Sequence, residues 1–501
     1  MSFPLSRKLL ATTASLALLS GPAFADVSAQ DVWDNWRAAL QEYGYALTAT
    51  EEASGSALVI KDLVMSMDIP EDEASVSVSM EELTFTENGD GTVNIAVPQN
   101  MPLNFSVSDG GEDVEAKVTV SHDGMSTVAS GTKDEMTYTY GASSITASLD
   151  TLVVNGETIS DIDASGAIGG LSGTQTLAMG DTISGMQQMS ADSMSLMVKG
   201  NDPESGDLID MSVSFADIQA SSDSAWPKGA IASSDPSAMF VEGMKVVGSV
   251  TMQSMALAAA FEDEEGPGQI NMTTGAGGLD LDFTDAMIAY GGKITEVAAS
   301  VMAPDVPLPI DVTFGELGYD MAIPLKASEA EQDFKLGLNF TDIGLSDFIW
   351  NLFDANSVLP RDAATLVLGL SGKATVFQDL VTLDEDMDEA PGEVNAVSLD
   401  VLELKAAGAD ISGTGSFTFD NSDLASFDGF PRPEGAIDVK LNGINGLMDK
   451  LIQMGLLPEE QAMPARMMMG MFTVPVGDDQ LTSRIEVNDQ GHVLANGQRL
   501  K

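Results

Sequence analysis

Apolar and polar residues alternate one by one in six segments of the chain: 76–80, 114–120, 211–215, 310–314, 334–340 and 437–441. A period of two places the apolar side chains of each segment on one face of an extended strand and its Ser, Thr, Asp or Lys side chains on the other. Clusters of turn-forming residues separate the segments: Asn88-Gly89-Asp90-Gly91, Asp109-Gly110-Gly111, Asn155-Gly156 and Asn421-Ser422-Asp423. These types reach the positive φ values that tight connections between antiparallel strands require. The pattern predicts a mainly β fold. It is a long antiparallel sheet, meandering or curved, or else a sandwich, with one apolar face and a few short α-helices.

Three segments change period. Within 31–43, Asp31 can cap a helix on which Val32, Trp36, Ala39, Leu40 and Tyr43 recur at helical spacing. Within 346–354, Phe348, Ile349, Leu352 and Phe353 share one helical face, and within 446–455 so do Leu447, Met448, Leu451 and Ile452. The last two segments belong to a weak repeat. An alternating strand, an isolated Ile343 or Ile444, a helix, and then Leu359-Pro360 or Leu457-Pro458 follow in the same order. Phe-x-Asp recurs at Phe215/Asp217, Phe283/Asp285 and Phe340/Asp342, and is read as turn chemistry closing each strand.

Acidic loops with Pro and Gly, at 262–268 and 384–392, divide the chain near residues 266 and 390. The expected organisation is a leader over 1–25 and a β-rich region over 26–265 that begins with the 31–43 helix. A middle β region over 266–390 and a C-terminal β region over 391–501 follow, each with one of the later helices. If the sheet is continuous, these divisions are loops and not linkers.

The leader is expected to be a secretory signal peptide. Arg7 and Lys8 precede an apolar run from Leu9 to Leu19, Gly21-Pro22 breaks it, and Ala23-Phe24-Ala25 offers a small-residue cleavage site between Ala25 and Asp26. The run is far shorter than the ~20 residues that span a bilayer, and no other stretch is long enough, so no transmembrane helix is expected in the mature chain. The expected location is the periplasm, with the outer membrane as the lesser reading.

Charge then narrows the partners. Asp and Glu number 77 against 22 Lys and Arg, a formal charge of −55. A phosphate-binding surface needs clustered cations, so nucleic acid is excluded as a partner. The absence of cysteine removes disulfides, zinc thiolates, iron–sulfur clusters, lipidation at a mature N-terminal cysteine and thiol catalysis.

Chemistry-bearing motifs are scarce. The two histidines, His122 and His492, have no nucleophile motif near them and read as surface residues. Zinc lacks a ligand set. The acidic loops fail the calcium-loop pattern, since 201–206 carries a proline at a ligand position. Of 29 methionines, Met463, Met467, Met468, Met469 and Met471 crowd one stretch. Thioethers bind Cu(I), but methionine serves more often as adaptable apolar filler. No phosphate loop or dinucleotide fingerprint is present. No enzyme activity, catalytic residue, cofactor or metal is therefore expected.

The C-terminal third resembles an uncharacterised alphaproteobacterial family, the domain-of-unknown-function 2125 family. The resemblance rests on Leu404-Lys405-Ala406-Ala407-Gly408-Ala409-Asp410-Ile411-Ser412-Gly413-Thr414-Gly415-Ser416-Phe417, on Pro433-Glu434-Gly435-Ala436-Ile437-Asp438-Val439, on Gly455-Leu456-Leu457-Pro458 and on Asn488-Asp489-Gln490-Gly491-His492-Val493. These phrases carry no catalytic residues. More loosely, the style is similar to the AsmA-like envelope proteins. That likeness implies a long sheet with an apolar inner face and a part in lipid handling.

Three functions fit. The first is a non-enzymatic periplasmic protein that holds a lipid or other hydrophobic ligand on its sheet, with Leu338, Trp350, Met467 and Met471 as candidate lining and the two later helices plugging the groove. The second is an envelope structural or assembly factor that contacts other envelope proteins without a small ligand. The third is an outer-membrane β-barrel, which the 6% aromatic content disfavours because barrels carry two aromatic girdles.

Overall fold

The computed structural model describes residues 27–69, 74–109, 112–201, 206–230, 240–263, 266–304, 306, 308–382 and 390–501. The proposed signal peptide, with Ala25 and Asp26, lies outside them.

All 27 strands among the described residues join one sheet, and every pairing in it is antiparallel. The six alternating segments all fall inside strands. Some strands are unusually long: Glu135–Val154, Thr182–Asn201 and Leu208–Pro227 each run for 20 residues. The strands on either side of each acidic loop pair with one another. Asp263 pairs with Gly266, and Val376 pairs with Gly392. The sheet ends at Ala46–Ser54, which pairs only with Ala57–Ile69, and at Gln498–Arg499, which pairs only with Val493–Ala495. Among the described residues these two edges do not meet, so the ladder is open, and no second sheet packs upon it.

Among the described residues four α-helices decorate the sheet: α1 (Ala29–Glu42), α2 (Asp347–Phe353), α3 (Ile444–Gln453) and α4 (Glu459–Phe472). The first three match the expected helices to within about two residues, the usual uncertainty of helix ends. The strand–helix–Leu-Pro order occurs twice, as expected. After Pro360 the chain enters the strand Ala364–Val376, whereas Pro458 leads into α4, a helix that the pattern did not announce. Pro464 sits inside α4, where it lacks a donor for the helical ladder, and the consecutive Met467-Met468-Met469 spreads apolar side chains beyond one face of the helix.

The core is concentrated at one end. A capping box from Ser28 to Asp31 starts α1. The helix then buries Val32 and Trp33 against Ile60, Leu63, Leu83, Phe85, Val93, Met136 and Tyr138 of the sheet. Trp36 meets Phe85 edge-on with ring centroids 5.6 Å apart, a favoured aromatic geometry. Tyr138 donates to Asn35 Oδ1 at 2.8 Å, and burial pushes its hydroxyl pKa upward. A smaller cluster joins Leu177, Ile183 and Trp226 to Ala39. Beyond it, the later strands carry apolar rows that no helix among the described residues buries in the same way.

Candidate apolar binding face

Strand register assembles these rows. Met252 lies near Gly277, which pairs with Ile294; Ile294 then pairs with Leu317, Leu317 with Phe340, Phe340 with Leu366 and Leu366 with Leu404. The row continues through Ile411 and Leu441 to Leu481. A second row runs beside it: Val250, Leu279, Gly292, Tyr319, Leu338, Leu368 and Leu402. Directly paired residues share a face, so each row is a continuous apolar stripe crossing many strands.

A cavity of about 710 Å³ opens on this face. Phe215, Ile218, Val250, Leu279, Ile294, Leu317, Tyr319 and Phe340 line it. Its volume falls in the ~300–1,000 Å³ range of ligand pockets. Leu279 and Tyr319 are 38% and 44% exposed, so apolar surface there meets solvent in the free chain.

The cavity depends on a crease across the strands. Phe215 and Ile218 are three positions apart, and a regular strand would send them to opposite faces. Both reach the same cavity because Asp217 between them takes a left-handed conformation, φ +48°. Glu296 in the strand Met287–Met302 and Asp342 in the strand Gln332–Leu345 are also left-handed, each at φ +51°. At the same level Gly315 leaves room for Asp342, whose Oδ2 would lie 2.6 Å from a Cβ at that position. Two of the three Phe-x-Asp motifs are therefore bends inside strands and not strand ends. Asp285 alone sits in a turn, between Gly277–Thr284 and Met287–Met302.

The opposite face is polar. Lys335 pairs with Asp320 at 2.8 Å, and the Asn339 amide donates to Glu316. A depression of about 520 Å³ there is bordered by Asp280, Lys293, Thr295, Glu316 and Asn339. No group of three or more His, Asp or Glu arranged to hold a metal occurs among the described residues. His122 differs from the surface reading. It lies near the end of the strand Glu112–Asp123, half-buried, with both ring nitrogens enclosed and without a hydrogen-bond partner among the described residues.

The four candidate lining residues separate. Leu338 pairs with Tyr319 and so stands on the apolar face beside the cavity. Trp350 is on α2, its ring 5.2 Å from that of Phe353 and 6.0 Å from the Arg361 guanidinium. Met467 and Met471 are exposed on α4. None of the four is among the residues lining the cavity. Phe340 falls within an alternating segment, and Phe215 ends one. Alternation does not point to Ile218, Val250, Leu279, Ile294, Leu317 and Tyr319, because it does not tell which strands are neighbours.

Residues 293–494 match the model of a family described as an uncharacterized protein conserved in bacteria (DUF2125). The match supports the resemblance carried by the C-terminal phrases. It takes in Ile294, Leu317, Tyr319 and Phe340, while Phe215, Ile218, Val250 and Leu279 precede it. The AsmA-like likeness gains no support from the comparisons. No curated protein matches the chain. Among solved structures, the chain is similar to the crystal structure of BauA, the ferric preacinetobactin receptor from Acinetobacter baumannii. Identity is 9%, with 91% of this chain and 78% of that chain covered, and the TM-score is 0.15. A likeness at that score carries no argument about fold or activity.

Proposed function

We propose that the chain is an exported, non-enzymatic periplasmic protein that holds a lipid or other hydrophobic ligand on the apolar face of its open sheet. The cavity between Phe215 and Phe340 carries this reading: its lining is almost wholly apolar and its rim is solvent-facing. Contact with ~300 Å² of acyl surface would contribute about 7 kcal/mol before the losses of association. The negative charge of the chain favours solubility and disfavours adsorption to anionic headgroups. Export rests on the Arg7-Lys8, Leu9–Leu19 and Ala23-Phe24-Ala25 pattern. The open edges of the ladder favour this reading over a barrel, which needs its first and last strands paired.

Two measurements test the proposal. Mass spectrometry of the protein purified from the periplasm should find a chain beginning at Asp26 and a co-purified apolar molecule. A fluorescent fatty acid should bind the delipidated protein. A folded protein with neither co-purified ligand nor probe binding would leave the assembly-factor reading in its place.

A further inference from the structure

We propose that Met467, Met468 and Met471 of α4 form a thioether site for a soft monovalent cation, Cu(I) in the cell. Methionine as core filler does not account for them. Met463, Met467, Met468 and Met471 are 65%, 68%, 60% and 60% exposed. On an α-helix Met471 lies about 40° around the axis from Met467 and about 60° from Met468, with axial steps of about 6 and 4.5 Å. Met471 thus stands angularly between the other two, and flexible thioether arms can bring three sulfurs onto one ion. Met463 continues the stripe one turn earlier.

The surroundings suit a soft cation. Thioethers select Cu(I) over harder ions. The cation of the helix, Arg466, is held by Asp449 of α3 at 2.5 Å, so its charge is compensated. Glu459 and Glu460 begin the helix, and the chain as a whole attracts cations. With no cysteine in the sequence, no thiolate competes for the ion. This site is independent of the apolar cavity, which none of the α4 methionines lines.

Ag(I), a closed-shell ion of the same charge and softness, is the probe, titrated into the full folded chain and followed by native mass spectrometry and calorimetry. One tight equivalent is expected. The combined variant Met467→Leu/Met468→Leu/Met471→Leu, which keeps apolar bulk, should lose it. Met186→Leu/Met197→Leu, which removes exposed methionines elsewhere on the sheet, should keep it. Methyl-labelled methionine spectra of the unaltered chain give a readout independent of variant folding: the Met467, Met468 and Met471 signals should move on addition of Ag(I). No tight equivalent, a triple variant that binds as the parent does, or unmoved α4 signals would overturn the site. A stripe that served only to dock an apolar partner would tolerate leucine and ignore Ag(I).

Discussion

Ile60 and Leu63 stand three positions apart in the strand Ala57–Ile69, yet both are buried in the same core, at 0% and 2% exposure. Asp62 between them has φ +50°, and the register against Ala46–Ser54 slips between Thr48 and Thr50. One left-handed residue resets the alternation, so the chain keeps its apolar side chains on one face through a bend.

That geometry makes Asp62 a backbone position first. Asp62→Gly should leave stability unchanged or raise it, because glycine reaches positive φ without a steric cost. Asp62→Val should lower it by about 1–2 kcal/mol, the cost of a left-handed conformation for a residue with a branched Cβ. Urea unfolding midpoints of the two variants check this, and equal losses in both would assign the role to the carboxylate.

Leu279→Asp should abolish binding of a fluorescent fatty acid while changing unfolding stability by less than about 1 kcal/mol, since Leu279 is already 38% exposed. The charge would enter a cavity shared with Tyr319, Val250 and Ile294. Asp280→Lys, at an exposed position one residue from Leu279 on the polar face and outside the cavity lining, should leave binding intact. Equal losses in both variants would remove the cavity as the binding place.

The strands and three helices were legible because each rests on a local period. The bends were not. A left-handed Asp inside a strand and one in a turn have the same neighbours in sequence, so Asp217 and Asp342 could not be told from Asp285. The same ambiguity hid Ile218, whose face follows from the bend and not from alternation. Leu338 was legible as an apolar strand position. Trp350 on α2 and Met467 and Met471 on α4 do not line the cavity, because where a helix docks on a sheet follows from tertiary packing and not from a local period. The fourth helix was obscured by Pro464 and by a methionine run that packing does not draw inward.

Asp354 follows α2 and is buried. Its carboxylate accepts from the Val358 N–H at 2.9 Å and the Leu359 N–H at 2.8 Å, closing the turn that leads to Leu359-Pro360. Burial alone would raise its pKa; the two N–H donors and the Arg361 guanidinium outweigh that and hold it below the usual carboxylate value. A lowered pKa in the folded state means stability present above the unfolded value, about 3.9, and lost as pH falls through the folded one. Asp354→Asn should therefore melt below the parent at neutral pH, and the gap should narrow in acid. Melting curves taken between pH 7 and pH 3 test this, and a gap that widens in acid would contradict it.

Asp479 caps α3 from outside that helix. The α3 N-cap is Gly443, which has no side chain to offer. Asp479, in the turn before Gln480–Val487, supplies the acceptors instead. Its carboxylate receives the Asn445 N–H at 3.1 Å, the Asn445 amide at 2.8 Å and the Gly446 N–H at 2.9 Å. Burial would raise this carboxyl, but these donors and nearby Arg466 lower it. Asp479→Ala should cost about 1–2 kcal/mol, the range for losing a helix cap. Asp479→Asn keeps an acceptor and should cost less. Because α4 follows α3 directly and packs on it through Arg466 and Asp449, the alanine variant should also speed amide exchange in both helices. Exchange that quickens throughout the sheet instead would make Asp479 a determinant of the whole fold and not a local cap.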